Sequence, residues 1–294
     1  MVLFWHRRDL RIEDNAGLYK ALKENDQVQP VFIFDDQILS RLPKDDQRVL
    51  FIHQELQRLK SEYQTHGSDL LIFHGNPSEL IPKIAKELAC EKVYTNRDYE
   101  PYALTRDQFI YQELEKSNIS FIGSKDHVIF EKNEVLKDDG LPYTIFTPYS
   151  RKWKAKLSDY FLKSYPSTAY LSHLSKCAET SDCPSMEDLG FSDVQLFPFP
   201  ERIVHDELVR AYQENRDFPI KNGTSKLSVH LRFGTISART LALETQSLNA
   251  TFFNELIWRD FYHMILWQFP QIAEGKSFKP KYDFIEWRNN EKEF

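Results

Sequence analysis

The chain lacks the features that would place it in a membrane, in a secretion pathway or around a metal ion. No apolar run approaches the roughly 20 residues of a membrane helix, and the N-terminus lacks the basic-then-apolar layout of a signal peptide. Its cysteines (Cys90, Cys177 and Cys183) show no CxxC spacing, and its histidines form no HExxH motif and no close pair. We therefore expect reduced thiols, no metal, no membrane, and a location in the cytoplasm or, in a eukaryote, the nucleus.

An excess of positive charge is also missing, since the net charge of the 294 residues is −6. Proteins that coat DNA nonspecifically bind by displacing counterions with Lys and Arg, so this charge argues against that class. A single positive groove remains compatible with DNA binding, because local charge matters more than the total. One basic run around Trp153 fits either a nucleic-acid patch or, as we favour, a solvated helix face: Arg151, Lys152, Lys154 and Lys156.

The first 125 residues alternate short apolar runs with amphipathic segments such as Arg48 to Tyr63 and Tyr102 to Lys116. This alternation predicts a parallel sheet with helices on both sides. The absence of GxGxxG argues against a conventional dinucleotide site in this region. The predicted strands are Val2 to Trp5, Val28 to Phe34, Asp69 to Phe73, Lys92 to Thr95 and Ile119 to Ile122.

Beyond this region, six prolines between residues 130 and 200 indicate a long surface connection, and the pattern then becomes helical. We predict an α/β plus all-α protein, with a five-stranded, doubly wound parallel sheet domain at 1–129, a linker at 130–200 and the start of a helical domain at 201–294. The predicted helices are Glu201 to Asn215, Thr224 to Phe233, Ser237 to Leu248 with Ser237 as its cap, and Phe252 to Phe269.

The segment GTSKLS, Gly223 to Ser228, gathers three hydroxyls and several backbone amides behind a glycine at the predicted start of a helix. Oriented amides and the helix dipole hold anions at such a place, which suits a phosphate. The alternative is an ordinary helix N-cap.

The segment FFNELIWRDFY, Phe252 to Tyr262, spaces Glu255 four residues from Arg259 and Trp258 four residues from Tyr262. A helix would then present a charged pair and an aromatic pair on neighbouring faces. This arrangement suits a cofactor pocket that meets a base-stacking surface. The alternatives are a solvated surface ion pair and aromatic residues of the core.

Together with YQENRDFP, from Tyr212, and FWHRRDLRIEDNAGL, from Phe4, these segments closely resemble the DNA photolyase and cryptochrome family, in the family's order from Val2 to Trp287. The resemblance implies that the helical domain holds FAD, and that blue light drives an electron from reduced flavin into a cyclobutane pyrimidine dimer flipped out of DNA. Two alternatives remain, a light-sensing cryptochrome without repair activity and a flavin-free nucleotide-binding or interaction protein.

The resemblance also implies roles for single residues. Glu255 would hydrogen-bond, or share a proton with, the pyrimidine carbonyl where negative charge develops. Trp258 would stack on the lesion, and Trp287 would be the outermost tryptophan of an electron relay. The alternative for Trp287 is a partly exposed packing residue. The alternative for Arg216, which would otherwise contact DNA, is a salt bridge to Asp217 or to a helix carboxylate. The expected DNA contacts are Arg216, Glu255, Trp258 and Tyr262. The expected FAD contacts are Tyr212, Thr224, Ser225, Lys226, Leu227, Ser228, Phe252 and Arg259.

In this family a light-harvesting antenna molecule lies near the carboxyl ends of the strands. The run from Tyr99 to Ala103 departs from the pattern of folate-binding members, so folate is doubtful and a second chromophore of unknown identity stays open. Asp98 and Glu100 fit a ligand role or an interdomain ion pair with an arginine equally well: Arg7, Arg8 or Arg11.

The resemblance further implies that the chain corresponds to the N-terminal two-thirds of a photolyase that is a monomer when whole and binds damaged DNA. We therefore expect the 294-residue chain by itself to bind FAD weakly or not at all, to repair nothing and to associate. The apolar side chains that we expect it to expose on its last long helix are Leu256, Phe261 and Ile265.

Overall fold

A five-stranded, all-parallel sheet occupies the first part of the computed structural model, which describes residues 1–177 and 180–293. Its strand order is β3-β2-β1-β4-β5, so the chain runs outward from β1 in one direction and then returns to build the other half. This is the predicted doubly wound arrangement, and every predicted strand is present. The strands are β1 Val2–His6, β2 Val28–Asp35, β3 Leu71–Gly75, β4 Lys92–Asn96 and β5 Ser120–Ser124.

Helices cover both faces of this sheet. Because successive side chains of a strand point to opposite faces, Phe4 of β1 joins the core on one side, while Leu3 and Trp5 join the core on the other. The central strands β1 and β2 are buried along their whole length, as is typical of a sheet covered on both sides. The helices of this part are α1 Ala16–Glu24, α2 Asp36–Leu39, α3 Gln47–Thr65, α4 Pro77–Glu87 and α5 Pro101–Glu115.

The connection between residues 130 and 200 contains α6 Phe146–Lys156, α7 Asp159–Leu162 and a 3₁₀ segment Ser167–His173. Trp153 of α6 is fully buried, whereas the four basic residues around it are exposed. Exposure fits a solvated helix face and a nucleic-acid patch alike, so the preference for a solvated face stays a prediction.

The remaining helices differ from the prediction at their starts. Predicted helix Glu201 to Asn215 begins only at Asp206 and is interrupted at Ala211, and predicted helix Thr224 to Phe233 begins only at Ser228. Lys226 explains the second difference, because its φ of 53° lies in the left-handed region. The observed helices are α8 Asp206–Arg210, α9 Tyr212–Asn215, α10 Ser228–Phe233, α11 Ala238–Thr245 and α12 Ala250–Gln268, followed by 3₁₀ segments Pro270–Glu274 and Pro280–Tyr282.

Ser237 caps α11 as predicted, since its side chain accepts hydrogen bonds from the amides of Arg239 and Thr240. Helices α6, α11 and α12 share a second apolar core. The expectation that Leu256, Phe261 and Ile265 are exposed is wrong, because each is at most 8% exposed. Side chains of α6 contribute to that cover, as Tyr149 packs against Phe261 at 5.1 Å between ring centroids.

A buried ion network joins the sheet to the helical part. Arg11, in the loop after β1, and Arg239 of α11 both bind the carboxylate of Asp126, each at 2.8 Å. Arg239 also binds Asp14 at 3.0 Å. All four side chains are at most 8% exposed. Removal of one of them would therefore leave a buried charge on the other side of the joint without its partner.

Glycine is required where the chain after α10 crosses this joint. Gly234 has a φ of 64°, and a Cβ there would lie 2.1 Å from the carbonyl oxygen of Arg8.

Within the described ranges, no helix is long and apolar enough to cross a membrane. The same residues form no cluster of three or more metal-ligating side chains.

Candidate functional site

Helix α12 carries four of the predicted site residues along one surface. Asn249 fixes its start by accepting hydrogen bonds from the amides of Thr251 and Phe252, at 2.9 and 3.0 Å. From there the spacing of three and four residues aligns Phe252, Glu255, Trp258 and Tyr262. Exposure rises along this line, from a buried Phe252 to Tyr262 at 61% exposed.

Three aromatic rings form a stack at the middle of that line, which we call the aromatic stack: Phe146, Trp258 and Tyr262. Phe146 lies face to face with the indole of Trp258, at 3.6 Å between centroids and 6° between planes. Tyr262 overlaps Trp258 more loosely, at 5.5 Å and 24°. The predicted aromatic pair is confirmed. Phe146 was missed because its segment was assigned to the connection.

The predicted pairing of Glu255 with Arg259 on α12 is wrong. Glu255 binds Arg216 of the segment after α9 rather than Arg259. Arg216 also contacts Asp217 at 3.4 Å, so both salt bridges considered as alternatives for Arg216 are present. Next to this pair, Tyr212 packs edge-on against Phe252 at 5.2 Å.

Arg259 points instead into the joint between the two halves. Its guanidinium donates hydrogen bonds to the backbone carbonyls of His127 and Leu231. Burial lowers the pKa of this guanidinium to about 10. These two hydrogen bonds hold the side chain in the joint, away from Glu255.

The residues 223–228, called here the hydroxyl segment, lead into α10, which begins only at Ser228. None of its side chains caps α10, which argues against the ordinary N-cap. Thr224 and Ser228 are exposed, and their hydroxyls make no hydrogen bond to the described residues. Gly223 packs tightly, since a Cβ there would lie 2.6 Å from the carbonyl oxygen of Asn215. The segment therefore presents unused hydroxyls on a backbone held in place.

Asp260 anchors α12 from its buried side. One of its oxygens accepts hydrogen bonds from the amides of Ile129 and Phe130 and from the indole of Trp153, at 3.0 to 3.1 Å. Burial nevertheless raises the pKa of this carboxyl from its ordinary 3.8 to about 6. Asp260 thus connects α12 to both α6 and the chain after β5.

We expect Asp260→Asn to reduce the pH dependence of stability between pH 4 and pH 7. Because the pKa of Asp260 is higher in the folded state, its stabilising contribution is complete below pH 4 and is lost as the pH rises through 6. The Asn variant should gain about 3 kcal/mol relative to the unmodified chain across that range. Urea unfolding at several pH values measures this, with the exposed Asp139→Asn as control. A constant difference between variant and unmodified chain would contradict it.

The carboxyl ends of the strands enclose a cavity of about 150 Å³ beside Trp5. The guanidinium groups of Arg7 and Arg106 each lie 4.8 Å from the Trp5 ring. Small-molecule sites usually span roughly 300 to 1,000 Å³, so this cavity is smaller than a typical ligand pocket.

At the rim of that cavity, Arg8 binds Asp98 at 3.1 Å and Glu100 at 2.8 Å. Glu100 also binds Arg232 of the helical part at 2.6 Å. Both carboxylates therefore pair with Arg8, one of the three arginines considered, within the sheet part, whereas the link to the helical part is formed by Glu100 with Arg232. Trp287, by contrast, is 76% exposed, far from a packed core position, and its relay role stays a prediction.

Comparison with known proteins agrees with this architecture. The family model "DNA photolyase" matches residues 2–169, more than half of the chain. A deoxyribodipyrimidine photo-lyase of Synechococcus sp. strain PCC 6301 is 32% identical over 99% of this chain and 65% of its own length. An uncharacterised 31.6 kDa protein of Synechococcus sp. strain PCC 6716 is 34% identical over 88% of this chain and 98% of its own length.

A solved structure shares the fold over nearly the whole chain. The archaeal photolyase of Sulfolobus tokodaii, solved with two FAD molecules that implicate a novel light-harvesting cofactor, has a TM-score of 0.76 and 29% identity, covering 99% of this chain and 65% of that one. The chain thus spans about two thirds of the length of the photolyases it matches. On the match to the family model and the similarity of the Synechococcus relatives, the chain belongs to the DNA photolyase family.

Proposed function

We propose that this chain serves light-driven repair of cyclobutane pyrimidine dimers in DNA, by electron transfer from reduced FAD to a flipped-out lesion. The observation that carries the proposal is the surface of α12. There the indole of Trp258, which belongs to the aromatic stack, lies one turn from the carboxyl of Glu255. In a lesion site the indole provides a stacking platform for a base, and the carboxyl beside it provides a hydrogen-bonding group. A light sensor that repairs no DNA does not need this combination.

The residues present fit FAD chemically. The unused hydroxyls of Thr224 and Ser228, with the amides around them, suit a pyrophosphate, because they satisfy its oxygens without full charge neutralisation. The buried Oδ1 of Asn254 on α12 has no hydrogen-bond partner among the described residues, so it can accept from a donor of the ligand. FAD, when bound and reduced, supplies the electron. The proposed FAD contacts are Tyr212, Thr224, Ser225, Lys226, Leu227, Ser228, Phe252 and Arg259.

The proposed DNA contacts act around the same helix. Phe146 already covers one face of Trp258, so a flipped pyrimidine would stack on the opposite face. Stacking offsets part of the cost of removing the damaged bases from the duplex. Glu255 would hydrogen-bond, or share a proton with, the pyrimidine carbonyl as negative charge develops there. Arg216 would bind the lesion strand.

The other parts of the proposal are the partner and the location: damaged DNA, bound by a monomer in the cytoplasm. The proposal leaves an antenna chromophore of unknown identity open, and the cavity of about 150 Å³ at the strand ends would have to widen to hold a typical ligand. Trp287, which is exposed, remains a candidate for the outer end of an electron relay.

We expect Trp258→Ala to weaken binding to dimer-containing DNA by about 1 to 3 kcal/mol, because a stacked base loses its platform. The flavin spectrum should remain intact. Fluorescence anisotropy with a labelled oligonucleotide measures the affinity, and absorbance after blue illumination measures repair of the dimers. Trp267→Ala is the matched control, since Trp267 lies on the same helix but contacts Lys132.

Equal loss of flavin and of DNA binding in Trp258→Ala would assign Trp258 to packing alone. Binding of damaged and undamaged DNA with equal affinity by the unmodified chain would contradict the proposed function. That result would favour a cryptochrome.

A further inference from the structure

Arg216 and Glu255 form an ion pair at the surface of the proposed lesion site. Their side chains are 33% and 37% exposed. The guanidinium also lies 5.3 Å from the ring of Tyr212. Partial burial lowers the pKa of this guanidinium, but the Glu255 carboxylate outweighs it and raises that pKa above its ordinary value. Two side chains with separate expected roles therefore neutralise each other when DNA is absent.

The pair links α12 to the cover segment, defined here as residues 212–223. This segment folds back on itself, because the amide of Phe218 donates to Asn215 and Gly223 packs against the same residue. Its start is tied to α12 by a hydrogen bond between Gln213 and Thr251. Among the described contacts, the salt bridge from Arg216 is the charged link between this segment and α12.

A DNA phosphate and the Glu255 carboxylate compete for the same donors. Arginine binds both anions through the same fork of N–H groups. An ion pair that is about one third exposed is screened by water and is therefore weak. A phosphate of the lesion strand at the aromatic stack can take over the guanidinium at small cost.

We propose that the Arg216–Glu255 ion pair is a DNA-responsive latch, which holds the cover segment on α12 in the free protein and opens when a DNA phosphate takes Arg216. This inference rests on the proposed function and deepens it.

Opening would change what Glu255 can do. In the ion pair a carboxyl oxygen of Glu255 accepts a hydrogen bond from Arg216. Released from Arg216, the carboxyl is free to face the pyrimidine. The latch therefore assigns Arg216 a positioning role: it sets the place of the Glu255 carboxyl as well as that of the cover segment.

A double-mutant cycle on the full chain tests the latch, using Arg216→Gln, Glu255→Gln and the double variant. The measured quantity is the dissociation constant for undamaged duplex DNA as a function of salt. We expect Glu255→Gln to tighten binding about 3- to 10-fold, because it frees Arg216, and to steepen the salt dependence by about 0.9 in log–log slope. In the Arg216→Gln background the same change should alter affinity less than 1.5-fold.

Glu244→Gln is the matched control, because it removes the same charge from an exposed position of α11. We expect less than a 2-fold effect. If Glu255→Gln tightens binding equally with and without Arg216, simple repulsion of DNA by Glu255 accounts for the gain and the latch is wrong. If Glu255→Gln leaves the affinity unchanged, phosphate and carboxylate do not compete and the latch is equally wrong.

A measurement without DNA separates this inference from the proposed function. Hydrogen exchange of residues 212–223 should accelerate about equally in both single variants and in the double variant, since each breaks the same link. Unchanged exchange would overturn the latch even if the chain binds and repairs damaged DNA. Accelerated exchange in a chain that binds no DNA would reject the proposed function and the DNA response, while the link itself stands.

Discussion

Asp126→Ala is expected to lower the free energy of unfolding by about 3 to 5 kcal/mol, because it leaves two buried guanidinium groups without their shared partner. Arg11 and Arg239 both bind this carboxylate, and it also accepts a hydrogen bond from the amide of Ala16 at 3.0 Å. Removal would therefore affect the sheet, the start of α1 and α11 together.

The effect should persist from pH 5 to pH 8. Burial raises the pKa of Asp126, but Arg11 and Arg239 outweigh burial and hold that pKa well below its usual range. The stabilising contribution is thus present above about pH 4 and is lost only as the pH falls toward the lowered pKa.

Urea unfolding followed by far-ultraviolet circular dichroism measures the loss. Asp138→Ala is the control, since Asp138 is 93% exposed in its pair with Lys152 and should leave stability unchanged. A loss below 1 kcal/mol in Asp126→Ala would show that the joint between the halves does not depend on these charges.

Thr224→Ala combined with Ser228→Ala is expected to weaken FAD binding by about 3 to 6 kcal/mol, because each hydroxyl would otherwise donate to a charged phosphate. That range corresponds to a loss of about 10²- to 10⁴-fold. Titration of the chain with excess FAD, followed by flavin fluorescence, measures the change. The stability of the protein without FAD should remain the same, since neither hydroxyl bonds to the described residues.

The matched control is Ser61→Ala with Thr105→Ala. These hydroxyls are also exposed, but they donate only to backbone carbonyls of their own helices, α3 and α5. An unchanged dissociation constant in the Thr224→Ala, Ser228→Ala variant would show that the hydroxyl segment takes no part in cofactor binding.

Local pattern sufficed for the sheet and for the order of the elements. Strands such as Val28–Asp35 are short apolar runs bounded by polar turns, and the predicted ends lie within two residues of the observed ones. Ser237 as a cap and Trp258 with Tyr262 as an aromatic pair also follow from spacing along one helix. Such features depend on neighbours within a few residues, which a sequence displays directly.

The partners across long chain separations were not predictable in this way. Phe146 reaches Trp258 from a helix more than a hundred residues earlier, and Arg216 takes Glu255 from Arg259 across 39 residues. The resemblance to a known family indicated which residues to examine, but not which of them contact each other without DNA or flavin. Domain limits at residues 129 and 200 stay a prediction, although α6 already shares the core of α12.

The sequence by itself determined the five parallel strands, the long helix α12 with its aligned Phe252, Glu255, Trp258 and Tyr262, and membership in the family. Only the tertiary structure decided that Leu256 is buried, that Arg259 points into the joint and that Glu255 is paired with Arg216. The physical reason is that periodicity specifies which face of an element is apolar. The choice of a charged partner, however, depends on which groups packing brings within hydrogen-bond distance.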